Sequence, residues 1–257
     1  MNFWDVFVQI IILMCCPVAP SSNQEIIVGG ELLTIEKHPY FAALLFSIDT
    51  IIFYQSCGAT ILNTRSVLSA AHCLDNGFTQ RWQIRVGPTT LNFGGTVYNV
   101  EKVIMHPDYG LSGLDGDIAI VRASADFVYS NSVQPAVIAS ANYFLPDNSS
   151  ALAIGLGATY YVGPGSERDI EVWTINQNTC RERYAATGPI ITDRMICASR
   201  LDVGGRDQCI ANSGGPLIHN NVIVGILSWG YECAHPVNPG VNTRVSSFSS
   251  WITSNLT

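Results

Sequence analysis

Apolar residues in this chain come in short blocks rather than in long helical stretches. The segments 41–46, 66–71, 83–86, 97–105, 118–122, 151–154 and 222–227 are mostly of strand length. Several are rich in β-branched residues, and Gly, Asn, Asp and Pro fill the gaps between them, which is the pattern of strands joined by turns. Asn220-Asn221, between Ile218-His219 and Val222-Ile223, reads as a two-residue hairpin turn, because Asn tolerates positive φ. Helical periodicity stands out only at the end, over 245–255. There Phe248, Trp251 and Ile252 fall at i, i+3 and i+4 and make one apolar face. The pattern predicts an all-β protein, closed into sandwiches or barrels, with a terminal helix packed on the outside. No repeat, low-complexity tract or long linker interrupts it.

At 257 residues the chain forms one large all-β domain or two small ones, with enough length for a good core. Charged residues make up 13% and the formal net charge is -7. No basic face recommends a nucleic-acid partner.

The first residues carry an apolar run over 6–16, interrupted only by Gln9. It is too short to span a bilayer, which takes about 20 apolar residues. With Pro17-Val18-Ala19-Pro20-Ser21-Ser22 after it, the run reads as a secretory signal, here assigned to 1–22. Asp5 and the lack of a basic residue are atypical of such a signal, and a buried N-terminal helix is the rival reading. Cys15 and Cys16 would leave with the signal, leaving Cys57, Cys73, Cys180, Cys197, Cys209 and Cys233. An even set in a secreted chain points to three disulfides, and spacing alone does not choose the pairing. Metal binding is the rival, without a C-x-x-C or H-x-x-x-H cluster to support it. Asn148-Ser149-Ser150 and Asn255-Leu256-Thr257 are glycosylation sequons.

Four stretches concentrate the candidate chemistry. Asp207-Gln208-Cys209-Ile210-Ala211-Asn212-Ser213-Gly214-Gly215 sets a hydroxyl on a glycine turn. Leu68-Ser69-Ala70-Ala71-His72-Cys73 ends an apolar run on a histidine. Asp115-Gly116-Asp117-Ile118 places acids at the mouth of a strand, and Ser228-Trp229-Gly230 follows the strand after the serine turn. A serine hydroxyl is a poor nucleophile until a neighbouring base takes its proton, so these residue types are needed together.

Through Ile27-Val28-Gly29-Gly30, Ala70-Ala71-His72-Cys73, Asp117-Ile118-Ala119, Ser213-Gly214-Gly215-Pro216-Leu217 and Pro239-Gly240-Val241, in that order, the chain resembles the secreted chymotrypsin-family serine proteases. Within them it is most similar to insect trypsins, lepidopteran ones especially. The likeness runs from Ile27 to Ile252. It implies two antiparallel six-stranded β-barrels, about 27–135 and 136–244, with the active site in the cleft between them and a C-terminal helix at about 245–255. Residues 27–257 would form the peptidase domain behind a short propeptide-like segment, 23–26.

The resemblance also implies roles. Ser213 is the nucleophile, His72 its base and Asp117 the acid that orients the base, the order His, Asp, Ser being that of this group. The other histidines, His38, His106, His219 and His235, are expected to be structural. Asp207 corresponds to the acid at the base of the S1 pocket, selecting Arg or Lys side chains. Gly230 and Gly240 are the pocket walls, Glu232 its rim, and Ser228 and Trp229 bind the substrate backbone. The N–H groups of Ala211 and Ser213 form the oxyanion hole. The disulfides pair as Cys57–Cys73, Cys180–Cys197 and Cys209–Cys233. No acidic cluster appears around 84–101, so no trypsin-like calcium loop is expected, nor any metal or cofactor. Expected partners are protein or peptide substrates and protein inhibitors, for a monomer that is extracellular and free of the membrane once the signal is removed.

Three departures fall on one mechanism. Enzymes of this kind are cut after Arg or Lys just before Ile-Val-Gly-Gly, and the new ammonium pairs with an aspartate beside the catalytic serine. Here no Lys or Arg precedes Ile27, the first basic residue being Lys37, and Ile26 is extra. The aspartate is replaced by Asn212, and a buried charge left without its partner costs roughly 3–5 kcal/mol. The glycine before it is replaced by Ala211, whose Cβ costs roughly 1–2 kcal/mol where φ is positive. The expected function is therefore a serine endopeptidase cleaving after Arg or Lys through an acyl-enzyme. The alternative is a catalytically impaired homologue that binds proteins or regulates.

Overall fold

A computed structural model describes residues 31–32, 34–75, 78–88, 93–111, 113–156, 167–186, 189–202, 213–231 and 237–256. In the first half the strands are β1 (Glu31–Leu32), β2 (Phe41–Phe46), β3 (Tyr54–Ile61), β4 (Ser66–Ser69), β5 (Trp82–Val86), β6 (Thr96–Met105) and β7 (Ala119–Ala123). In the second they are β8 (Val137–Ile138), β9 (Ser150–Leu156), β10 (Glu167–Ile175), β11 (Met195–Ser199), β12 (Pro216–His219), β13 (Val222–Trp229) and β14 (Gly240–Arg244). Helix α1 (Gln177–Tyr184) lies between β10 and β11, and α2 (Val245–Ser254) follows β14.

The strands close into two six-stranded antiparallel barrels. One runs β2-β3-β4-β7-β6-β5, and the other runs β10-β11-β14-β13-β12-β9 and closes through the β9–β10 pairing. Closure leaves each barrel without a free edge, so the backbone donors and acceptors are satisfied inside the sheet. Alternation decides which residues of β5 fill the first barrel, while β2 and β4 are buried almost throughout. In β5, Trp82, Ile84 and Val86 are buried while Gln83 and Arg85 are partly exposed. Phe41, Leu44, Ile61, Leu68, Ile118 and Ile120 join them in the core.

The chain ties the two barrels together. β1 pairs with β10, and β8 lies parallel to β13. The Ala136 N–H donates to the Ile61 carbonyl at 2.9 Å, and three residues on Ala139 N–H donates to Ile223 at 3.0 Å. Both barrel interiors belong to one continuous apolar cluster.

The Asn220-Asn221 turn has φ of 50° and 60°, the two positive angles a tight hairpin between right-twisted strands requires. The terminal helix differs slightly from the pattern. Its fully buried residues are Val245, Phe248 and Ile252, while Trp251 is half-buried. The ring of His106, from the first barrel, packs edge-on against both Phe248 (4.9 Å) and Trp251 (5.1 Å). The helix therefore spans both barrels instead of lying on one.

Helix α1 is an addition to the predicted elements. Asn176 caps it, its side chain accepting from the N–H groups of Asn178 and Thr179. Only Cys180 and Tyr184 are buried, and Cys180 is bonded to Cys197 of β11. The cross-link and the cap hold a helix that is otherwise polar. Of the two sequons, Asn148 is exposed in the turn before β9, whereas the Asn255 amide donates to the Trp251 carbonyl at 2.8 Å.

Candidate active site

The site is assembled from both barrels at their junction. β4, buried along its whole length, ends at Ser69, and after Ala70 a 3-10 turn over Ala71–Leu74 carries His72. The neighbouring Cys73 is bonded to Cys57 of β3, which pins that turn to the barrel wall. The His72 ring is about a quarter exposed (28%), while Asp117, just before β7, is completely buried. A buried carboxylate has to be hydrogen-bonded, and this one has three partners. Oδ1 accepts from the His72 backbone N–H at 2.8 Å. Oδ2 faces His72 Nδ1 at 2.7 Å and also accepts from Ser228 Oγ of β13. Thr243 Oγ1 of β14 donates to the Asp117 carbonyl at 2.7 Å. A carboxylate at Nδ1 favours the tautomer of the neutral ring that carries its proton there and leaves the lone pair on Nε2.

Ser213 is buried and is held from the opposite barrel. Its carbonyl accepts from the Gly58 N–H at 2.8 Å, one residue from the Cys57 cross-link. The next residues pair with β13: Gly214 N–H donates to Leu227 at 2.7 Å, and Leu227 N–H donates to Gly215 at 2.9 Å. Gly214 has φ of +80°, and a Cβ there would lie 2.2 Å from Ser69 Oγ and 2.4 Å from the Gly58 carbonyl. Only glycine fits that backbone and that gap. Ser69 Oγ itself donates to the Gly58 carbonyl at 2.8 Å. The serine turn of one barrel thus rests on the residues that lead to His72 in the other.

Beyond the serine, Gly230 faces Gly240 closely enough that a Cβ on the first would lie 3.8 Å from the second's Cα. Trp229 packs edge-on to Tyr184 at 5.1 Å, and the Tyr184 hydroxyl donates to the Pro239 carbonyl at 2.5 Å. These contacts join α1 to the strand ends that carry Gly230 and Gly240.

Of the residues singled out in the sequence, His72, Asp117, Ser213, Ser228, Trp229, Gly230 and Gly240 converge on this junction. Asp207, Cys209, Ala211, Asn212, Glu232, Cys233 and His235 lie outside the described residues, as do the leader segment and Ile27-Val28-Gly29-Gly30. Cys57–Cys73 and Cys180–Cys197 are bonded. Cys57, His72 and Cys73 form a compact cluster of the kind that can hold a metal. Both thiols are consumed by the disulfide, so this cluster offers no thiolate ligand.

Three of the remaining histidines have their own structural partners. His38 Nδ1 lies 3.0 Å from the Tyr40 hydroxyl and Nε2 lies 3.5 Å from Asp169. His106 Nδ1 accepts from the Asp108 N–H at 3.2 Å, and His219 Nδ1 lies 2.8 Å from the Tyr143 hydroxyl. Burial holds the His38 and His106 imidazoles below the ordinary histidine range, which keeps them neutral. The same cause pushes the Tyr40 hydroxyl up to about 12.

Two contributors were not visible in the sequence. Thr243 and Ser69 are ordinary strand residues whose hydroxyls bond backbone carbonyls 126 and 11 positions away. Only the fold brings those groups together.

Comparison with known proteins agrees with this geometry. The protein-family model described as Trypsin matches residues 27–252. Trypsin CFT-1 of Choristoneura fumiferana is 53% identical over 235 residues, covering 91% of this chain and 92% of the relative. Trypsin, alkaline C of Manduca sexta is 51% identical over 239 residues, covering 92% and 93%. Achelase-1 of Lonomia achelous is 45% identical over 235 residues, covering 89% and 100%.

Proposed function

This chain belongs to the trypsin family, and on that premise we propose that it is a secreted serine endopeptidase cleaving peptide bonds after Arg or Lys. The observation that carries the reading is the buried, triply hydrogen-bonded Asp117 carboxylate at His72 Nδ1, across the barrel junction from Ser213. In this reading Ser213 Oγ attacks the scissile carbonyl while His72 Nε2 takes its proton. The imidazolium that forms is stabilised by Asp117 and returns the proton to the leaving amine. Water, deprotonated by the same nitrogen, then releases the acyl group. The N–H groups of Ser213 and Ala211 receive the oxyanion, and Ser228 and Trp229 align the substrate backbone.

Gly230 and Gly240, facing each other without side chains, are assigned as the walls of a slot for a long side chain, with Asp207 at its base. An isolated buried charge costs roughly 3–5 kcal/mol, so a cationic side chain depends on Asp207 for its affinity. Asp207→Ser is therefore expected to lower kcat/KM for an Arg peptide by about 10²–10³-fold while sparing a Phe peptide. Hydrolysis of matched chromogenic peptides measures this, and an unchanged Arg preference would remove Asp207 from the pocket. The proposed partners are protein substrates and protein inhibitors of a monomeric extracellular enzyme.

A second reading, a catalytically impaired homologue, is favoured by Ala211-Asn212 and by the absence of Lys or Arg before Ile27. Ile26→Arg, Ala211→Gly and Asn212→Asp combined, followed by tryptic cleavage, should then raise kcat/KM by about 10²–10³-fold, the worth of one oxyanion donor. A wild-type chain that already matches the restored variant would eliminate the impaired reading.

A further inference from the structure

We infer that Arg194 is a positioning residue for Asp117, a clasp from the second barrel that sets the acid of the first. The inference rests on the reading of Asp117 given above. Asp115 and Asp117 differ by two positions but have opposite fates. Gly116 between them has φ of +71°, and a Cβ there would lie 3.2 Å from the Tyr109 backbone nitrogen. The chain turns sharply there and sends the two carboxylates to different partners.

Asp117 goes to His72, and Asp115 goes to Arg194, which immediately precedes β11. Arg194 Nη2 donates to Asp115 Oδ2 at 2.7 Å, and Nε lies 3.2 Å from both Asp115 oxygens. Nη1 donates to Asp108 Oδ2 at 2.7 Å. The guanidinium lies over the Phe248 ring at 5.3 Å, and His106 packs on the same ring. Thr192 Oγ1 adds a hydrogen bond to Asp115 at 3.0 Å. Asp115 is 8% exposed and the Arg194 side chain 33%, so the pair is partly buried on the acid's side. The hydrogen bonds it donates to Asp115, then to Asp108, hold the Arg194 guanidinium above its ordinary range.

The backbone of Arg194 is fixed to the same strand that grips Asp117. Its carbonyl accepts from the Arg244 N–H at 2.8 Å, and the preceding residue, Thr243, bonds the Asp117 carbonyl. The second barrel thus holds the acid-bearing loop at two points, Arg194 on Asp115 and Thr243 on Asp117. Ser228 adds a third on the carboxylate itself. Releasing the first point lets the turn at Gly116 relax and carries Asp117 away from the His72 ring.

The test compares Arg194→Ala, Arg194→Lys, Asp115→Asn and the Ala/Asn double variant in the intact chain. Arg194→Ala and Asp115→Asn should each lower kcat by about 10–100-fold with KM within about 2-fold, the size expected of a misplaced catalytic group. Lysine should recover part of the loss, since it is a single point charge replacing a fork. The double variant should lose no more than the worse single one, because both act through one contact. The low-field proton resonance of the His72 Nδ1–H to Asp117 bond should broaden or vanish in the alanine and asparagine variants. Arg65→Ala, which breaks a surface pair with Glu101, serves as a control and should leave kcat and that resonance in place. The resonance reads the geometry even if the wild-type chain turns over no peptide, which would sink the enzyme reading alone. An unchanged resonance in a folded Asp115→Asn or Arg194→Ala chain, with kcat as in wild type where turnover is measurable, would overturn the inference. So would losses matched by Arg65→Ala.

Discussion

In the proposed mechanism Asp117→Asn is expected to lower kcat by about 10⁴-fold while KM stays within about 3-fold. The reason lies in the hydrogen-bond inventory. The Asp117 side chain receives the His72 backbone N–H, the His72 ring and the Ser228 hydroxyl. A carboxylate, with acceptor sites only, takes all three. An amide offers one acceptor oxygen and one NH₂ donor. If its oxygen stays on the backbone N–H of His72, its NH₂ faces Nδ1 and the Ser228 hydroxyl. Nδ1 must then act as acceptor, and the ring proton moves to Nε2. In the proposed mechanism the base for Ser213 is then gone, although the side chains have kept their places. Steady-state kinetics with an Arg peptide, beside a thermal melt, checks this. A drop of less than 10-fold in kcat would show that the orientation of His72 does not depend on the carboxylate.

Much of the architecture was legible because local chemistry and the fold agree. Trp82, Ile84 and Val86 alternate with Gln83 and Arg85, and the barrel uses that alternation directly. Asn220-Asn221 turns where the sequence places it, with both φ angles positive. Segment 41–46 coincides with β2, Phe41–Phe46. The first part of β10 also alternates, with Ile170 and Val172 buried and Asp169 and Glu171 not, but its acids mask the strand in a reading that looks for apolar blocks. Helix α1 is eight residues long with two buried side chains, and its stability comes from Asn176 and from the Cys180–Cys197 bond. Nothing in its own composition announces it.

The site followed the same division. His72, Asp117 and Ser213 were nominated by motif, and the structure places the first two in contact and the third across the barrel junction. The motif did not show how they are held. A Cβ on Gly58 would strike the Gly215 backbone and one on Gly214 would strike Ser69 Oγ and the Gly58 carbonyl, and that close contact joins barrels whose strands are far apart in sequence. Thr243 reaches Asp117 over 126 positions, and Arg194 reaches Asp115 over 79. Long-range polar contacts of this kind leave no periodicity to read. Ser228 was nominated for the substrate backbone, and its hydroxyl is also a donor to Asp117.

The central claim is that Ser213 is the nucleophile that His72 activates. The direct measurement is to express the secreted chain, treat it with a fluorophosphonate and locate the adduct by peptide mass mapping. Hydrolysis of an Arg chromogenic peptide is followed in parallel, with Ser213→Ala as control. A fluorophosphonate reacts appreciably only with an activated serine hydroxyl, so ordinary serines such as Ser69 or Ser228 stay unlabelled. Removing the nucleophile of such a constellation costs on the order of 10⁶-fold in kcat, so the control should be silent in both assays. The expected result is one adduct, on Ser213, with turnover that vanishes in the alanine variant. Labelling and turnover no greater than in Ser213→Ala, or an adduct on another serine, would contradict it.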